Sequence, residues 1–455
     1  MQTASRLTLT ALALGVAGVL AAGQADASGF QIRENSVKNL GRANAGTTVA
    51  WGDASVVLNN PAAMVNLKQT TLQADVTVID LTAKFSGNGT TALGAPAGPL
   101  SGGNGGDPGD PTPVPAMAAV FPLSGAFEGV TLGASVSAPF GLKTDYEPTW
   151  MGRYDAITSD VKVVDLTLSA AIAFTDRFSV GLGVIAQRAD VTLSKAIDFG
   201  TALCAAQNPL NCFNPAYPFH PQAQDGNIEV SGADTDFGFV FGAQFKALDN
   251  LTFGYAHRSE VNHTLTGDAT ITKPGSVTAT LNALQNHAYD DGPIWANLDT
   301  PSTDTLSMRW DVTSAIRVLA EAQRTAWSSL ESVNIIRDGG AQLGFEAFDW
   351  NDSMFYSVGG EWDMNEAVTF RVGMGYDGTP THDSTRTPRL PDNDRMVYTF
   401  GATWNVSPRL SLDAAYMRVQ MDNPRVNTVS SSSSRLAGSF EGKADLLGVS
   451  AQYRF

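Results

Sequence analysis

The sequence predicts an all-β protein: a fourteen-stranded antiparallel transmembrane β-barrel with a small N-terminal helical hatch in its lumen. Three observations predict this fold. The 455-residue chain is 43% hydrophobic but only 16% charged, whereas soluble domains carry roughly 25% charged residues. Many segments of about ten residues alternate between apolar and polar side chains, as barrel strands with a lipid side and a lumen side do. Beyond residue 27, no apolar run reaches the roughly 18 residues that a transmembrane helix needs.

Composition also excludes other classes of protein. The formal net charge is −16, which argues against a nucleic-acid partner because phosphate contacts need clustered Lys and Arg. The 22 Phe, 10 Tyr and 8 Trp residues are too many for a disordered chain.

The N-terminus has the features of a secretory signal peptide over residues 1–27. Arg6 gives the positive end, residues 7–22 form the apolar stretch, and Ala25-Asp26-Ala27 is a small-residue cleavage site. An uncleaved anchor is the alternative, but the run is short and ends in a cleavage motif. The mature chain is therefore expected to begin at Ser28 and to reach the outer membrane of a Gram-negative bacterium.

Residues 28–68 precede the first strand and predict the hatch, which leaves 69–455 for the barrel. The segment is rich in small residues and suggests short helices and turns. Asn60 can cap a helix that begins at Pro61, where the missing N–H costs nothing. A fourteen-stranded barrel is too wide for its wall side chains to fill. We therefore expect this segment to occupy the lumen.

The strand signal is strict alternation. At the C-terminus, Leu447, Val449, Tyr453 and Phe455 share one face, and polar or tiny residues take the other. A soluble β-sandwich would share this period but would lack so many ten-residue strands with aromatic ends. Candidate strands start near residues 70, 113, 127, 161, 178, 228, 250, 304, 315, 352, 367, 395, 409 and 443.

Short and long connections alternate along the chain. The longer segments include 86–112, 139–160, 195–226, 267–302, 332–348, 379–393 and 422–440. Short periplasmic turns and long extracellular loops are typical of outer-membrane barrels. Cys204 and Cys212 lie in one long segment and predict a local disulfide, since a metal pair would need His at zinc spacing. No metal and no cofactor is predicted.

The chain contains motifs that resemble those of enzymes, but the sequence around each motif does not fit the corresponding chemistry. Gly373-x-Gly375-x-x-Gly378 resembles a dinucleotide fingerprint, but it lies inside a strand, where its small residues keep the lumen face open. His257 and Ser259 are the nearest approach to a hydrolytic pair, and an interfacial His is the simpler reading. Asp107 and Asp110 lie in a Gly/Pro-rich loop and suggest solvated residues rather than a calcium site. The chain is predicted not to be an enzyme.

The mature chain resembles the outer-membrane long-chain fatty acid transporter family (FadL type), which also includes importers of toluene and related hydrocarbons. The segments that carry the resemblance are Ser28–Ile32, Leu40–Gly46, Asn60–Ala62, Pro139–Leu142, Arg258–Val261, Leu390–Arg395 and Phe440–Ala444. The resemblance implies a monomer that captures hydrophobic molecules between the segments 195–226 and 267–302. It further implies a lumen site beside the hatch and a sideways exit into the membrane at a kink in the third strand.

The resemblance also suggests roles for single residues. Asn60, Pro61 and Ala62 would pack the hatch against the kinked strand and gate the side opening, and Phe30 would be an apolar stopper near the substrate. Members that carry fatty acids place a Lys after a Trp in the ninth strand, but Trp327 is followed by no Lys here. Ile185 and Arg188 are the remaining candidates for substrate contacts, although the parity of Arg188 points it outward.

Two function classes remain: a hydrophobic-substrate transporter, or a general diffusion porin for small polar solutes. A porin would line its lumen with charged rings, whereas the lumen faces here carry small and apolar residues, so the transporter is favoured. Expected partners are the hydrophobic substrate, outer-membrane lipids and lipopolysaccharide. The outer-membrane assembly machinery is a further partner, since it would read Tyr453 and the terminal Phe455.

Overall fold

The computed structural model describes residues 29–91, 98–431 and 433–455 as a closed antiparallel sheet around a small helical segment. The predicted signal peptide lies outside the described residues. The first strand pairs with the last, from Thr71 opposite Arg454 to Thr90 opposite Arg435, and this pairing closes the barrel.

Within the described residues, nineteen strands form the sheet. They are β1 Thr71–Thr90, β2 Thr112–Pro122, β3 Val130–Asp145, β4 Thr158–Thr175, β5 Phe178–Asp198, β6 Asp225–Leu248, β7 Leu251–Arg258, β8 Val261–Thr272, β9 Gly292–Thr300, β10 Thr303–Asp311, β11 Ile316–Thr325, β12 Ser332–Arg337, β13 Gln342–Ala347, β14 Ser353–Asp363, β15 Val368–Asp377, β16 Arg395–Asn405, β17 Leu410–Met421, β18 Arg425–Val429 and β19 Arg435–Arg454. β7 and β8, β9 and β10, β11 and β12, β13 and β14, and β17 and β18 each make one interrupted pass. The predicted fourteen-pass barrel is confirmed.

The wall alternates as the sequence predicts. Leu447 and Val449 are exposed on the outside of β19, while Ser450 and Gln452 are buried on the inside. Tyr453 and Phe455 also face outward, and Phe455 is 61% exposed. An apolar outer face suits hydrocarbon because strand pairing around a barrel satisfies the backbone polar groups.

The segment that begins at Gly29 fills the lumen with short helices. These are α1 Val37–Leu40, α2 Val56–Asn59, and 3-10 helices at Thr47–Val49 and Pro61–Asn66. As predicted, Asn60 caps the last of these, since its Oδ1 accepts from the Ala62 N–H at 3.0 Å. No helix among the described residues is long and apolar enough to cross a membrane.

Buried polar contacts join the hatch to the wall. Arg42 donates to Glu361 of β14 at 2.6 Å, and Lys38 donates to Gln452 of β19 at 2.7 Å. Gly373 of β15 makes close packing possible, because a Cβ there would lie 2.3 Å from the carbonyl carbon of Arg42. The Gly-rich stretch of β15 thus lines the lumen, as its strand context indicates.

The long segments hold more regular structure than the sequence suggests. Cys204, within α3 Phe199–Gln207 in the connection after β5, forms the predicted disulfide with Cys212. The segment 267–302 was expected to be a loop, but it contains the end of β8, α4 Gly275–Ala283 and all of β9. The expected loop boundaries were therefore wrong, because strand pairing between β8 and β9 continues beyond the alternating stretch of the sequence.

Candidate functional site

A β-bulge interrupts β3. Ser137 pairs with Asp165 and Phe140 pairs with Val163 on β4, so Ala138 and Pro139 together face one residue. A bulge bends its strand and leaves one residue unpaired. The bulge lies in the third strand, where the resemblance implies a kink.

The barrel wall is open on the side of β3 that faces β2. β2 pairs with β3 only from Met117 opposite Val136 down to Pro122, whereas Thr112–Ala116 pair with β1 alone. Pro113 and Pro115 lie in this unpaired edge, and Pro has no N–H to donate to a neighbouring strand. β2 and β3 are consequently separated above Val136.

The N-terminal segment takes the place of β2 at the bulge. The Ile32 N–H donates to the Pro139 carbonyl at 2.7 Å, and the Gly141 N–H donates to the Phe30 carbonyl at 2.9 Å. Gln31 and Phe140 therefore form an isolated antiparallel bridge. These two bonds seal the inner side of the opening with a short peptide rather than a full strand.

A cavity of about 400 Å³ lies beside this seal. Its apolar lining includes Phe30, Leu81, Val114, Phe140, Leu142 and Met417. Since Val114 belongs to the unpaired edge of β2 and Ala138, which also lines the cavity, belongs to the bulge, the cavity extends to the opening. A pocket of this size and lining suits an apolar molecule.

The ring of Phe30 closes one side of the cavity, where it packs against other aromatic rings. Its ring centroid lies 4.8 Å from that of Trp327 and 6.0 Å from those of Phe140 and Trp350. Such tilted and edge-on pairs add stabilisation beyond burial alone. The structure places Phe30 on the cavity wall, where an apolar stopper would have to lie.

Charged groups fix the peptide that carries Phe30. The Gly29 N–H donates to Asp392 at 3.1 Å, and Arg395 donates to the Gly29 carbonyl at 3.1 Å. Arg33 pairs with Asp377 at 3.1 Å and lies over the ring of Phe355. Burial raises the pKa of the Asp392 carboxyl above its ordinary value, and the charge of Arg395 opposes that shift.

A second, smaller cavity of about 70 Å³ lies on the other side of the N-terminal segment. Gln31, Ile32, Arg33 and Asn44 line both cavities. Ser137 and Pro139 line the small cavity, whereas Ala138 and Phe140 line the large one. The two cavities therefore meet the bulge from different sides. Arg258 is the basic residue that β7 contributes to the small cavity.

The turn at Asn60, Pro61 and Ala62 lies elsewhere than expected. The Asn60 amide donates to the Thr48 carbonyl at 2.7 Å and to the Ala243 carbonyl of β6 at 3.1 Å. Pro61 and Ala62 pack against Gly181 of β5. The amide does join the hatch to the wall, but at β6 rather than at the kinked strand, because glycines of β5 and β6 allow this helix to approach closely.

Arg188 does not contact either cavity. Its side chain is 56% exposed on the outer face and pairs with Asp190 at 2.8 Å. Ile185 faces inward and is buried, yet it lines neither the large nor the small cavity. The expectation that Arg188 binds substrate was wrong, and alternation along β5 is the reason, since Arg188 shares the outward parity of Leu182 and Val184.

Arg33 and Arg258 were missed as cavity residues. The parity of β7 contains the signal for Arg258, because Thr252, Gly254 and Ala256 face inward and Arg258 continues that series. The position of Arg33 had no such signal, since it depends on where the N-terminal segment meets strands more than 280 residues away, as its hydrogen bond to Gln323 illustrates.

Comparisons with known proteins agree with this architecture. Residues 18–455 match the family model described as outer membrane protein transport protein (OMPP1/FadL/TodX). Outer membrane protein P1 of Haemophilus influenzae is 29% identical over 425 residues, which cover 89% of this chain and 88% of that protein. The long-chain fatty acid transport protein of Escherichia coli K12 is 26% identical, with 98% of both chains covered.

Solved structures show the same fold. A Pseudomonas aeruginosa FadL homologue superposes with a TM-score of 0.86 at 26% identity. The superposition covers 94% of this chain and 100% of that chain. The Pseudomonas putida toluene transporter TodX superposes with a TM-score of 0.63 at 16% identity, covering 88% and 94%.

Proposed function

This chain belongs to the family of outer membrane protein transport proteins (OMPP1/FadL/TodX), and on that premise we propose a route by which it moves hydrophobic compounds. It is an outer-membrane β-barrel that transports hydrophobic substrates and is not an enzyme. In the proposed route, a long-chain fatty acid or a neutral hydrocarbon is captured by the extracellular segments, enters the large cavity, and leaves sideways between β2 and β3.

The observation that carries the proposal is an apolar cavity that ends at a gap in the barrel wall. The cavity reaches from Phe30 to Val114 at the unpaired edge of β2. A greasy solute that leaves through this gap enters lipid directly, and each CH₂ kept out of water is worth about 0.8 kcal/mol. Lateral exit therefore avoids the cost of crossing the aqueous periplasmic end of the barrel.

A general diffusion porin fits the interior less well. A porin needs a continuous aqueous path, but the hatch fills the lumen and is held there by buried pairs such as Arg42 with Glu361. In a porin, the path of a polar solute would have to pass through these contacts. Transport of hydrophobic compounds needs no such path.

The names of two relatives support the proposed substrate class. The E. coli relative is named for long-chain fatty acids, and the structural neighbour TodX for toluene. The barrel is proposed to act as a monomer whose apolar outer face contacts outer-membrane lipids and lipopolysaccharide. Phe455, exposed at the end of the last strand, supports recognition by the outer-membrane assembly machinery.

Uptake by cells that lack a FadL-type transporter of their own tests the proposal. We expect cells that express this protein to take up labelled oleate or toluene faster than cells with an empty vector. Phe30→Ala should lower uptake severalfold, since the cavity loses the ring that packs on Trp327. Phe127→Ala is the matched control, because that ring is 66% exposed and does not line the cavity.

Surface amounts of the three proteins must be equal before the rates are compared. Wild-type cells that take up neither probe would overturn the transport proposal. Full uptake by Phe30→Ala would instead overturn the role of Phe30 and leave the transport proposal standing.

A further inference from the structure

The connection between β15 and β16, residues 378–394, crosses the barrel instead of staying above its own two strands. Its far end reaches β3, where the Thr144 hydroxyl donates to the Arg389 carbonyl at 3.2 Å. Just beyond β3, the Tyr146 hydroxyl donates to the Pro388 carbonyl at 2.8 Å. β3 is the third of the fourteen passes, and β15 and β16 are the eleventh and twelfth. This connection, the crossing segment, therefore bridges nearly opposite sides of the wall.

The middle of the crossing segment is fixed to the strands beside β15 and β16. The Thr385 hydroxyl donates to the carbonyl of Phe348, which follows β13, at 2.8 Å. Arg386 is buried and donates to the Arg425 carbonyl of β18 at 3.0 Å. The tip of the segment, residues 387–391, extends from these contacts to β3.

The side chain of Arg389 attaches the tip to the far wall. Its Nη1 donates to the Thr158 carbonyl at 3.2 Å, to the Ser159 hydroxyl at 3.3 Å and to the Ser194 carbonyl at 3.4 Å. Its Nε donates to Glu346 of β13 at 3.4 Å. These distances lie at or beyond the long end of the usual N–H···O range. The tip is thus joined to β4 and β5 by several weak bonds.

The tip forms a roof over the large cavity. Leu390 and Pro391 line that cavity, and so does Thr144 of β3, which bonds to the tip. β3 runs toward the long connections, and at about 3.3 Å per residue Thr144 lies roughly 13 Å along the strand beyond Phe140. Phe140 packs against Phe30. The tip therefore lies on the extracellular side of these two rings and separates the cavity from the mouth of the barrel.

We propose that the tip is an entry lid, which must lift from β3, β4 and β5 before a substrate can pass from the extracellular segments into the large cavity. This inference rests on the proposed function and concerns the entry end of the same site. Phe30 and the gap between β2 and β3 belong to its exit end.

The composition of the tip suits such a movement. Pro388 and Pro391 each fix the backbone angle φ, so the tip moves as one piece. Its attachments to the far wall are hydrogen bonds, which water can replace at the extracellular mouth. Leu390 packs on the hydrophobic cluster of Phe30 and Trp327. An entering apolar molecule covers that surface in its place.

A reversible cross-link tests whether the tip has to move. Thr144→Cys and Arg389→Cys are combined, because the two positions are in contact, and a short bis-methanethiosulfonate reagent joins the two thiols in intact cells. Mass spectrometry measures the cross-linked fraction. The probe is labelled oleate or toluene, whichever the wild type takes up. We expect its uptake to fall about tenfold, as for a lid that cannot open, and to return when a reductant cleaves the link.

Thr385→Cys with Phe348→Cys is the matched control. This pair also replaces a hydroxyl donor and the residue whose carbonyl accepts from it, but it lies in the fixed middle of the crossing segment. Neither residue lines the large or the small cavity. Its cross-link should leave uptake unchanged. Wild-type cells treated with both reagents control for effects on the disulfide of Cys204.

Arg389→Met distinguishes a lid from a structural brace. Without its anchor the tip lifts more easily, so uptake at equal surface amounts should match or exceed the wild-type rate, whereas loss of a brace would lower it. Full uptake by the cross-linked tip variant, or lowered uptake by Arg389→Met, would overturn the lid. Wild-type uptake of neither probe would instead overturn the proposed function.

Discussion

One extra residue in β3 changes what the lumen contains. Val136 and Phe140 are four positions apart, and regular alternation would place both side chains on the lipid side. The bulge at Ala138 and Pro139 reverses the alternation, so Val136 is exposed outside while Phe140 is 1% exposed inside, next to Phe30. The apolar cavity thus depends on a local irregularity of the backbone.

Alternation in the sequence predicts whether most side chains of the wall point to the lipid or to the lumen. It fails at the bulge in β3. It placed Arg188 outside and gives Arg258 an inward position, in agreement with the structure. It could not assign Phe140, because the sequence contains Pro139 as a sign of disruption but not the number of residues inserted. The capping role of Asn60 was predictable from its neighbours, whereas its bond to Ala243 depends on packing across the barrel.

Asp155, in the connection between β3 and β4, gives a pH-dependent prediction. Burial raises its pKa from 3.8 to about 6, although Lys195 lowers it. The folded segment therefore binds more protons than the unfolded one between these values, so its stability is highest below pH 4 and falls as the pH rises to about 6. The loss is at most about 3 kcal/mol.

Hydrogen exchange of the segment 146–157 measures this effect. Corrected for intrinsic rates, protection should be greater at pH 5 than at pH 7.5, and Asp155→Asn should abolish the difference. An undiminished pH dependence in Asp155→Asn would assign the effect to another group.

The hatch is an element held by charge rather than by its own helical stability. Its helices are only a few residues long, and isolated helices of that length do not persist in water. Glu361 of β14 forms ion pairs with Arg42 of the hatch and with Arg317 and Arg371 of the wall. Breaking a buried pair costs about 3–5 kcal/mol when one partner is left unpaired.

Arg42→Met cuts the hatch from this network while Glu361 keeps its two wall partners. We expect the barrel to assemble normally, since the wall pairs remain, but the hatch to loosen and admit ions. Single-channel recordings in planar bilayers should show larger or more frequent openings than the wild type. Conductance identical to that of the wild type would show that other contacts suffice to hold the hatch.

The elements themselves were largely predictable, for a physical reason. A strand in a barrel wall has lipid on one side and lumen on the other along its whole length, so its alternation is strong. The hatch segment was recognisable from its small residues and from Asn60-Pro61, but its contacts were not. β8 and β9 extend beyond the part of the wall that faces the membrane. In that extension both faces of the strands meet water or loops, so the alternation in the sequence is weaker.

For the molecule as a whole, the pass count and closure follow from the sequence, but the two cavities do not. Both lie where the N-terminal segment meets β3, β6, β7 and distant strands, as the bonds of Gly29 to Asp392 and of Ile32 to Pro139 show. Such a site is assembled from residues hundreds of positions apart. Its chemistry becomes visible only when their side chains are placed together.

Removal of the bulge tests lateral exit most directly. Deletion of Ala138 places Val136 and Phe140 three positions apart, so a regular strand would still point Val136 outward and Phe140 inward while β3 lies flat beside β2. Pro139→Ala is the control, because it keeps the length of β3 and hence the bulge.

The measurement is the uptake rate of a labelled hydrophobic substrate in cells with equal surface amounts of heat-modifiable barrel. Our account predicts that the Ala138 deletion reduces uptake to the level of empty-vector cells, whereas Pro139→Ala transports close to the wild-type rate. Wild-type uptake by the deletion variant would contradict exit through the gap between β2 and β3.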